Sequence, residues 1–258
     1  MSADSPLVYL LDVEGTTSPV SLVSEQLFPY ARKHLADYLR EHWNEPETQA
    51  DLVLLAEENR AEKDQQWVLR FAQDDKSLGL DNDKSLGRDG KSFSVDSAME
   101  YLLWLMDRDR KSTALKSLQG RIWKSGYEAG ELVGTVFSDV AEAFARWSKT
   151  EKVAIYSSGS VEAQKLIFRY SSAGDLTPYI SGYFDTRTGA KTSADSYRAI
   201  AAAMGVATEE ILFVSDLLRE LDPAREAGCG TRLSVREGNA AVGDGHVHIA
   251  VRSFMEVE

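Results

Sequence analysis

The sequence predicts an α/β fold: a parallel sheet with helices on its faces, interrupted near its start by an all-helical insertion. Three observations predict it. Residues 7–11, Leu-Val-Tyr-Leu-Leu, form a short apolar run that stops at Asp12, Glu14, Gly15 and two threonines, which reads as a buried strand entering a turn. From about residue 140 onward, short β-branched runs alternate with helical patterns, the sign of a parallel sheet covered by helices. Between these parts, residues 21–130 show helical periodicity and no clear strand. The expected division is an α/β core of residues 1–20 and 131–258 around a helical insertion of residues 21–130.

In chain order, residues 22–43 carry Leu22, Leu27, Phe28, Ala31, Leu35, Tyr38 and Leu39 at helical spacing. Pro29 interrupts the run, so a kink or two helices are expected. Residues 47–73 form a second helical stretch, with Leu52, Leu55, Trp67 and Phe71 among many charges. Periodicity is lost between Asp74 and Ser92, where Asp-Lys-Ser-Leu-Gly occurs at 75–79 and again at 83–87, so a loop is expected. Asp81, Asp83, Ser85 and Gly87 partly resemble a calcium loop. The glycine is one place late and Ser92 stands where the closing glutamate belongs, so calcium is not expected. Helices return at 95–108 and 113–129, the latter capped by Ser112 or Thr113. The remainder reads as helix 140–147, strand 153–156, helix 161–170, strand 180–184, helix 193–204, strand 211–214, helix 219–227, and strands 231–235 and 247–251.

The 29 basic and 41 acidic side chains leave a formal charge of −12, which excludes the basic footprint of a nucleic-acid or anionic-membrane surface. An anionic substrate would need a local cation, a metal or a well-placed lysine, against this field. Cys229 is the only cysteine, so an intrachain disulfide is impossible; beside Gly228 and Gly230 it reads as a small buried apolar residue. With no signal-peptide pattern and no apolar run of ~20 residues, a cytoplasmic protein is expected. With no assembly motif, a monomer is expected.

Candidate chemistry gathers at strand ends, where open parallel sheets bind ligands. Residues two apart on an extended segment project the same way, so Asp12 and Glu14 can face one ligand, and Gly15 lets the backbone turn away after them. The alternative is a solvated turn leading into a helix. Strand 153–156 ends in Ser157-Ser158-Gly159-Ser160, hydroxyls and amides at a helix start that suit a phosphate or carboxylate; alternatively Ser158 or Ser160 is merely a cap. Strand 180–184 leads through a flexible loop to Lys191, and strand 211–214 runs into Ser215-Asp216 with Glu220 a turn later, oxygen donors suited to a hard ion such as magnesium. His246 and His248 share a strand face without further ligands and read as structural or solvated. No Walker loop, His-Glu-x-x-His helix or Gly-x-Ser-x-Gly elbow is present.

The order Asp12, Ser157, Lys191, Asp216 resembles the haloacid dehalogenase superfamily of aspartyl phosphotransferases. Within it, Asp12-Val13-Glu14-Gly15-Thr16-Thr17, Leu27-Phe28-Pro29-Tyr30, Asp109-Arg110-Lys111-Ser112-Thr113-Ala114-Leu115-Lys116 and Tyr156-Ser157-Ser158-Gly159-Ser160-Val161-Glu162-Ala163-Gln164-Lys165-Leu166 resemble the enolase-phosphatase family of methionine salvage. Glu14 is informative, because common phosphatases of the superfamily carry Asp there. The likeness spans nearly the whole chain and is weakest from about residue 45 to 94.

The resemblance implies a Rossmannoid core with a helical cap. It also implies a Mg²⁺-dependent enzyme that enolises 2,3-diketo-5-methylthiopentyl 1-phosphate and then removes phosphate, yielding 1,2-dihydroxy-3-keto-5-methylthiopentene. Asp12 is the implied nucleophile, and Asp12, the Glu14 segment and Asp216 are the implied metal ligands. Lys191, Ser157 and Ser158 are the implied phosphate clamp. Glu14 is the expected acid and base, Glu220 is expected behind the ligands or in solvent, and Trp67, Trp104 and Trp123 are candidates for pocket or core. The alternatives are a generic capped phosphatase, a hydrolytic dehalogenase, against which Glu14 and Asp216 weigh, and a signalling module with a phosphorylated aspartate.

Overall fold

The computed structural model describes residues 6–62, 94–243 and 245–257. The Asp-Lys-Ser-Leu-Gly duplication, the rejected calcium loop, and Trp67 and Phe71 lie outside the described residues. Two compact units emerge, Met1–Phe28 with Gly126–Glu258, and Pro29–Ser125.

The first unit holds a six-stranded, wholly parallel sheet in the order β3-β2-β1-β4-β5-β6, built from β1 (Val8–Leu11), β2 (Lys152–Tyr156), β3 (Ile180–Phe184), β4 (Ile211–Ser215), β5 (Gly230–Ser234) and β6 (Ile249–Val251). All four residues of β1 are buried, which is why the strand reads as an unbroken apolar run and not as an alternation. Their burial stabilises the fold by about 1.5–3 kcal/mol per large side chain. Leu11 stands opposite Ile155 on one side and Val214 on the other. From β1 the chain builds outward through β2 and β3, then crosses back to lay β4 on β1's other side. The crevice where such an order reverses is the place an open α/β sheet offers a ligand, and both Asp12 and Asp216 stand there.

One sheet face packs Val8, Leu10, Tyr156, Phe213, Tyr197 and Ile200 into a core. On the sheet's aromatic side Tyr9 stacks on Trp147 at 4.1 Å, and Trp147 meets Phe254 at 5.3 Å. The helices of this unit are α5 (Val140–Trp147), α6 (Val161–Arg169), α7 (Ala194–Met204) and α8 (Leu218–Glu226). Cys229 is buried, and burial pushes its thiol up to about 12, so it packs as a small apolar residue. His248 lies between Thr231 Oγ1 (2.7 Å) and Asp222 Oδ1 (3.0 Å), a structural role.

The second unit contains helices α1 (Phe28–His42), α2 (Pro46–Ala61) and α3 (Val95–Asp107), with α4 (Thr113–Glu128) supplying its last helical stretch. Residues Leu22–Leu27 wind as a π-helical segment before α1 takes up ordinary α-helix at Phe28, so the interruption at Pro29 is a change of winding at the start of a helix. Leu35, Leu39, Leu55, Leu102, Leu105 and Leu118 form the core of this unit. Trp104 belongs to that core with the Arg108 guanidinium 4.6 Å from its ring, and Trp123 packs half-buried against the same cluster. Arg121 pairs with Asp51 at 2.5 Å and donates to Tyr38 at 3.0 Å. Ser112 caps α4 by accepting from the Leu115 amide.

Gly134 lies where two backbones meet: its amide donates to the Tyr170 carbonyl, its carbonyl accepts from Ser172, and an added Cβ would stand 2.0 Å from the Ile167 carbonyl oxygen. Replacing Gly134 with alanine is therefore expected to cost about 1–3 kcal/mol through forced backbone movement. Urea unfolding measures it, and an unchanged midpoint would refute the close approach.

Candidate active site

The site is assembled from loops that leave the carboxyl ends of β1, β2, β3 and β4. After β1 the chain turns sharply: the amides of Thr16, Thr17 and Ser18 all donate to the Val13 carbonyl, and Thr17 Oγ1 lies 3.0 Å from the Asp12 carbonyl. Gly15 makes the turn possible with φ +67°, a left-handed conformation. Asp12 Oδ1 accepts from the Val13 amide at 2.7 Å, which fixes the plane of the carboxylate.

Lys191 is the hub. Its Nζ lies 2.7 Å from Asp12 Oδ1 and 2.5 Å from Glu220 Oε2, and all three side chains are at least nine-tenths buried. Burial opposes the charge on Lys191, but Asp12 and Glu220 outweigh it and hold its pKa above the ordinary lysine range. Ser215 Oγ stands 3.0 Å from Glu220 Oε2 and 3.3 Å from Asp12 Oδ2, placing one hydroxyl proton between the two acids. Glu220 is thus a buried partner of the lysine, and the alternative of a solvated position falls.

The loop that delivers Lys191 is not the flexible one the sequence suggests. Three successive carbonyls are captured by hydroxyls: Gly189 by Tyr156 (2.9 Å), Ala190 by Ser196 (2.7 Å) and Lys191 by Tyr197 (2.8 Å). Tyr197 also lies 2.9 Å from the Glu220 carbonyl, so a single phenol joins the backbones of the lysine and of its acid. Nothing in the local sequence marks Tyr197 as special, since it occupies an ordinary buried position of α7.

Four carboxyl groups, Asp12, Glu14, Asp216 and Glu220, surround one ammonium, and the excess of acid shows in the titration of Glu14 and Asp216. Burial, then Asp12, raises Glu14 to about 7 despite Lys191. Burial, then Asp12, raises Asp216 to about 6. A carboxyl poised near neutrality suits proton transfer. The Asp216 carboxylate lies against Gly15, where an added Cβ would stand 2.5 Å from Oδ2. Among the described residues no three His, Cys, Asp or Glu side chains form a metal-binding group. Two hard carboxylates, Asp12 and Asp216, with uncompensated negative charge between them nonetheless fit a divalent cation that takes further oxygens from main chain and water.

Beyond β2, Ser157 is buried and Ser158 exposed. Ser157 donates its amide to the Phe184 carbonyl, and its Oγ accepts from the Gly159 amide at 3.2 Å. Ser160 caps α6 through the Ala163 amide, so the capping alternative holds for Ser160. Gln164 Nε2 binds both the Gly159 and Phe184 carbonyls at 2.9 Å, clasping this loop to the end of β3. The register of β1 on β2 sets Asp12 and Ser157 just beyond neighbouring strand ends.

Comparison with known proteins agrees with this architecture. The family described as haloacid dehalogenase-like hydrolase matches residues 7–228. Enolase-phosphatase E1 of Synechococcus elongatus is 50% identical over 234 residues, 90% of each chain. Enolase-phosphatase E1 of Branchiostoma floridae is 42% identical over 261 residues, 98% of this chain and 84% of that one. The solved Unknown transcript 4 protein of Saccharomyces cerevisiae is 33% identical with a TM-score of 0.71, covering 98% of this chain and 100% of that one. With Asp12, Glu14, Lys191 and Asp216 on the ends of a parallel sheet and identity of this extent along the chain, the protein belongs to the enolase-phosphatase family of haloacid dehalogenase-like hydrolases.

Proposed function

We propose that this chain converts 2,3-diketo-5-methylthiopentyl 1-phosphate into 1,2-dihydroxy-3-keto-5-methylthiopentene and phosphate, in methionine salvage, by enolisation followed by phosphoryl transfer. The observation that carries this reading is the buried ammonium of Lys191 clamped between Asp12 and Glu220, with Glu14 and Asp216 beside it. It supports reading Asp12 as the nucleophile, Glu14 as a group titrating near neutrality and Lys191 as the phosphate-binding cation. The diketone phosphate is the small-molecule partner, and the enzyme acts as a cytoplasmic monomer. Among the described residues no helix is long and apolar enough to cross a membrane.

Asp12 attacks phosphorus in line: an Asp12 oxygen–phosphorus bond forms, the ester phosphorus–oxygen bond breaks, and Glu14 gives a proton to the departing oxygen. Glu14 then takes a proton from water as that water attacks the aspartyl phosphate, releasing phosphate and restoring the Asp12 carboxylate. Lys191 and the Ser157–Ser158 loop hold the phosphoryl oxygens. In the preceding enolisation our reading gives Glu14 the carbon-bound proton, while the electron pair of the broken C–H bond forms the new carbon–carbon double bond and moves the carbonyl π pair onto its oxygen. Asp12, Asp216 and the main-chain oxygen of Glu14 would hold Mg²⁺, which when bound supplies charge stabilisation to phosphoryl and enediolate oxygens.

Three outcomes are expected. Asp12→Asn should fold normally, by circular dichroism, and lose turnover by about a thousandfold or more; substantial residual phosphatase activity would remove Asp12 from the nucleophile's role. Glu14 keeps a proton in the folded protein up to pH about 7, whereas the unfolded chain releases it near the ordinary glutamate value of 4.5. Without metal, therefore, wild type should lose melting temperature relative to Glu14→Gln as pH rises from 5 to 8, since the unfolded state binds fewer protons there. A pH-independent gap would contradict the raised carboxyl. Lastly, ultraviolet absorbance of the enol should rise ahead of phosphate release with a diketone phosphate analogue; phosphate without enol would reduce the enzyme to a generic phosphatase.

A further inference from the structure

Asn239 lies beyond β5 on a loop that reaches the turn after Asp12. Its Nδ2 stands 2.9 Å from the Gly15 carbonyl and 3.1 Å from the Ser234 carbonyl. Both partners are acceptors, so the atom facing them must be the amide nitrogen and the orientation of the amide is fixed. Oδ1 is left facing the opposite way. It is buried and has no hydrogen-bond partner among the described residues.

The position of that oxygen is defined by Gly15. A Cβ added there would stand 2.9 Å from Asn239 Oδ1 and 2.5 Å from Asp216 Oδ2. The two oxygens border one small space, close enough for a single water to touch both. Two acceptors facing the same space require a donor between them, and an unpaired buried amide oxygen costs about 1–3 kcal/mol. Anchoring the turn, which Asn239 Nδ2 shares with Ser234 Oγ, accounts for the amide nitrogen and not for the buried oxygen.

We propose that Asn239 Oδ1 accepts a hydrogen bond from a water bound to the divalent cation at Asp216, making Asn239 a positioning residue that fixes the ion's hydration from outside its direct ligands. The inference rests on the reading that Asp12 and Asp216 hold such an ion. It gives the loop beyond β5, which carries none of the residues of the reaction, a part in the metal centre.

The test uses the full-length protein with Mn²⁺ as probe, bound ion being read by electron paramagnetic resonance. Asn239→Ala is expected to weaken Mn²⁺ binding about tenfold or more. Asn239→Asp removes both donors to the carbonyls but keeps an oxygen toward Asp216, and is expected to bind Mn²⁺ at least as tightly as wild type. Asp216→Asn serves as the control for the site itself. Unchanged binding in Asn239→Ala, with binding lost in Asp216→Asn, would overturn the role of Asn239 and leave the ion site standing. Equal losses in the alanine and aspartate variants would assign Asn239 to loop anchoring and likewise overturn it. Should wild type fail to bind Mn²⁺, or Asp216→Asn bind it as wild type does, the ion site itself would fall, and the inference with it.

Discussion

The ammonium of Lys191, held between the carboxylates of Asp12 and Glu220 out of bulk water, is the interaction on which the site depends. Burying one acid of this kind would be costly, and burying several without a cation would drive them to the neutral form. Lys191 sets its positive charge against Asp12 at the end of a fully buried strand. Glu220 keeps the ammonium in place, and Ser215 shares its proton between the two acids. Removing Lys191 would leave a group of buried acids without a cation, which is far more damaging than loss of an exposed ion pair.

That hub needs a rigid frame, and the frame is made of backbone carbonyls captured by side chains. Tyr156, Ser196 and Tyr197 take three consecutive carbonyls before and at Lys191. Gln164 does the same for the Ser157 loop, and Ser234 with Asn239 for Gly15. Each loop is satisfied internally and held against the sheet edge, which fixes the places of the functional groups. Preorganisation of this kind is what lets fixed charges stabilise a transition state without reorganising at the moment of reaction.

The residual acid excess has a chemical use. Lys191 balances only part of the charge of Asp12, Glu14, Asp216 and Glu220, and burial raises Glu14 and Asp216 accordingly. Glu14 thereby titrates close to neutral pH, where one carboxyl can both give and take a proton within a catalytic cycle. A further methylene relative to aspartate lengthens its reach, which matters in a family that works on a carbon-bound proton as well as on phosphorus.

By itself the sequence determined the α/β class, the parallel strands, the helical stretch between the first two and the chain order Asp12, Ser157, Lys191, Asp216. These are local or periodic properties: an apolar run ending in acids, a 3.6-residue repeat and a serine-rich helix start can each be read in a window of a dozen residues. Tertiary structure alone decided that Glu220 pairs with Lys191, that the lysine loop is pinned, and that Tyr197 and Asn239 brace loops distant in the chain. Hydrogen bonds between a side chain and a remote carbonyl leave no periodic trace, because a carbonyl belongs to every residue and its partner is chosen by the crossing of strands at the switch point.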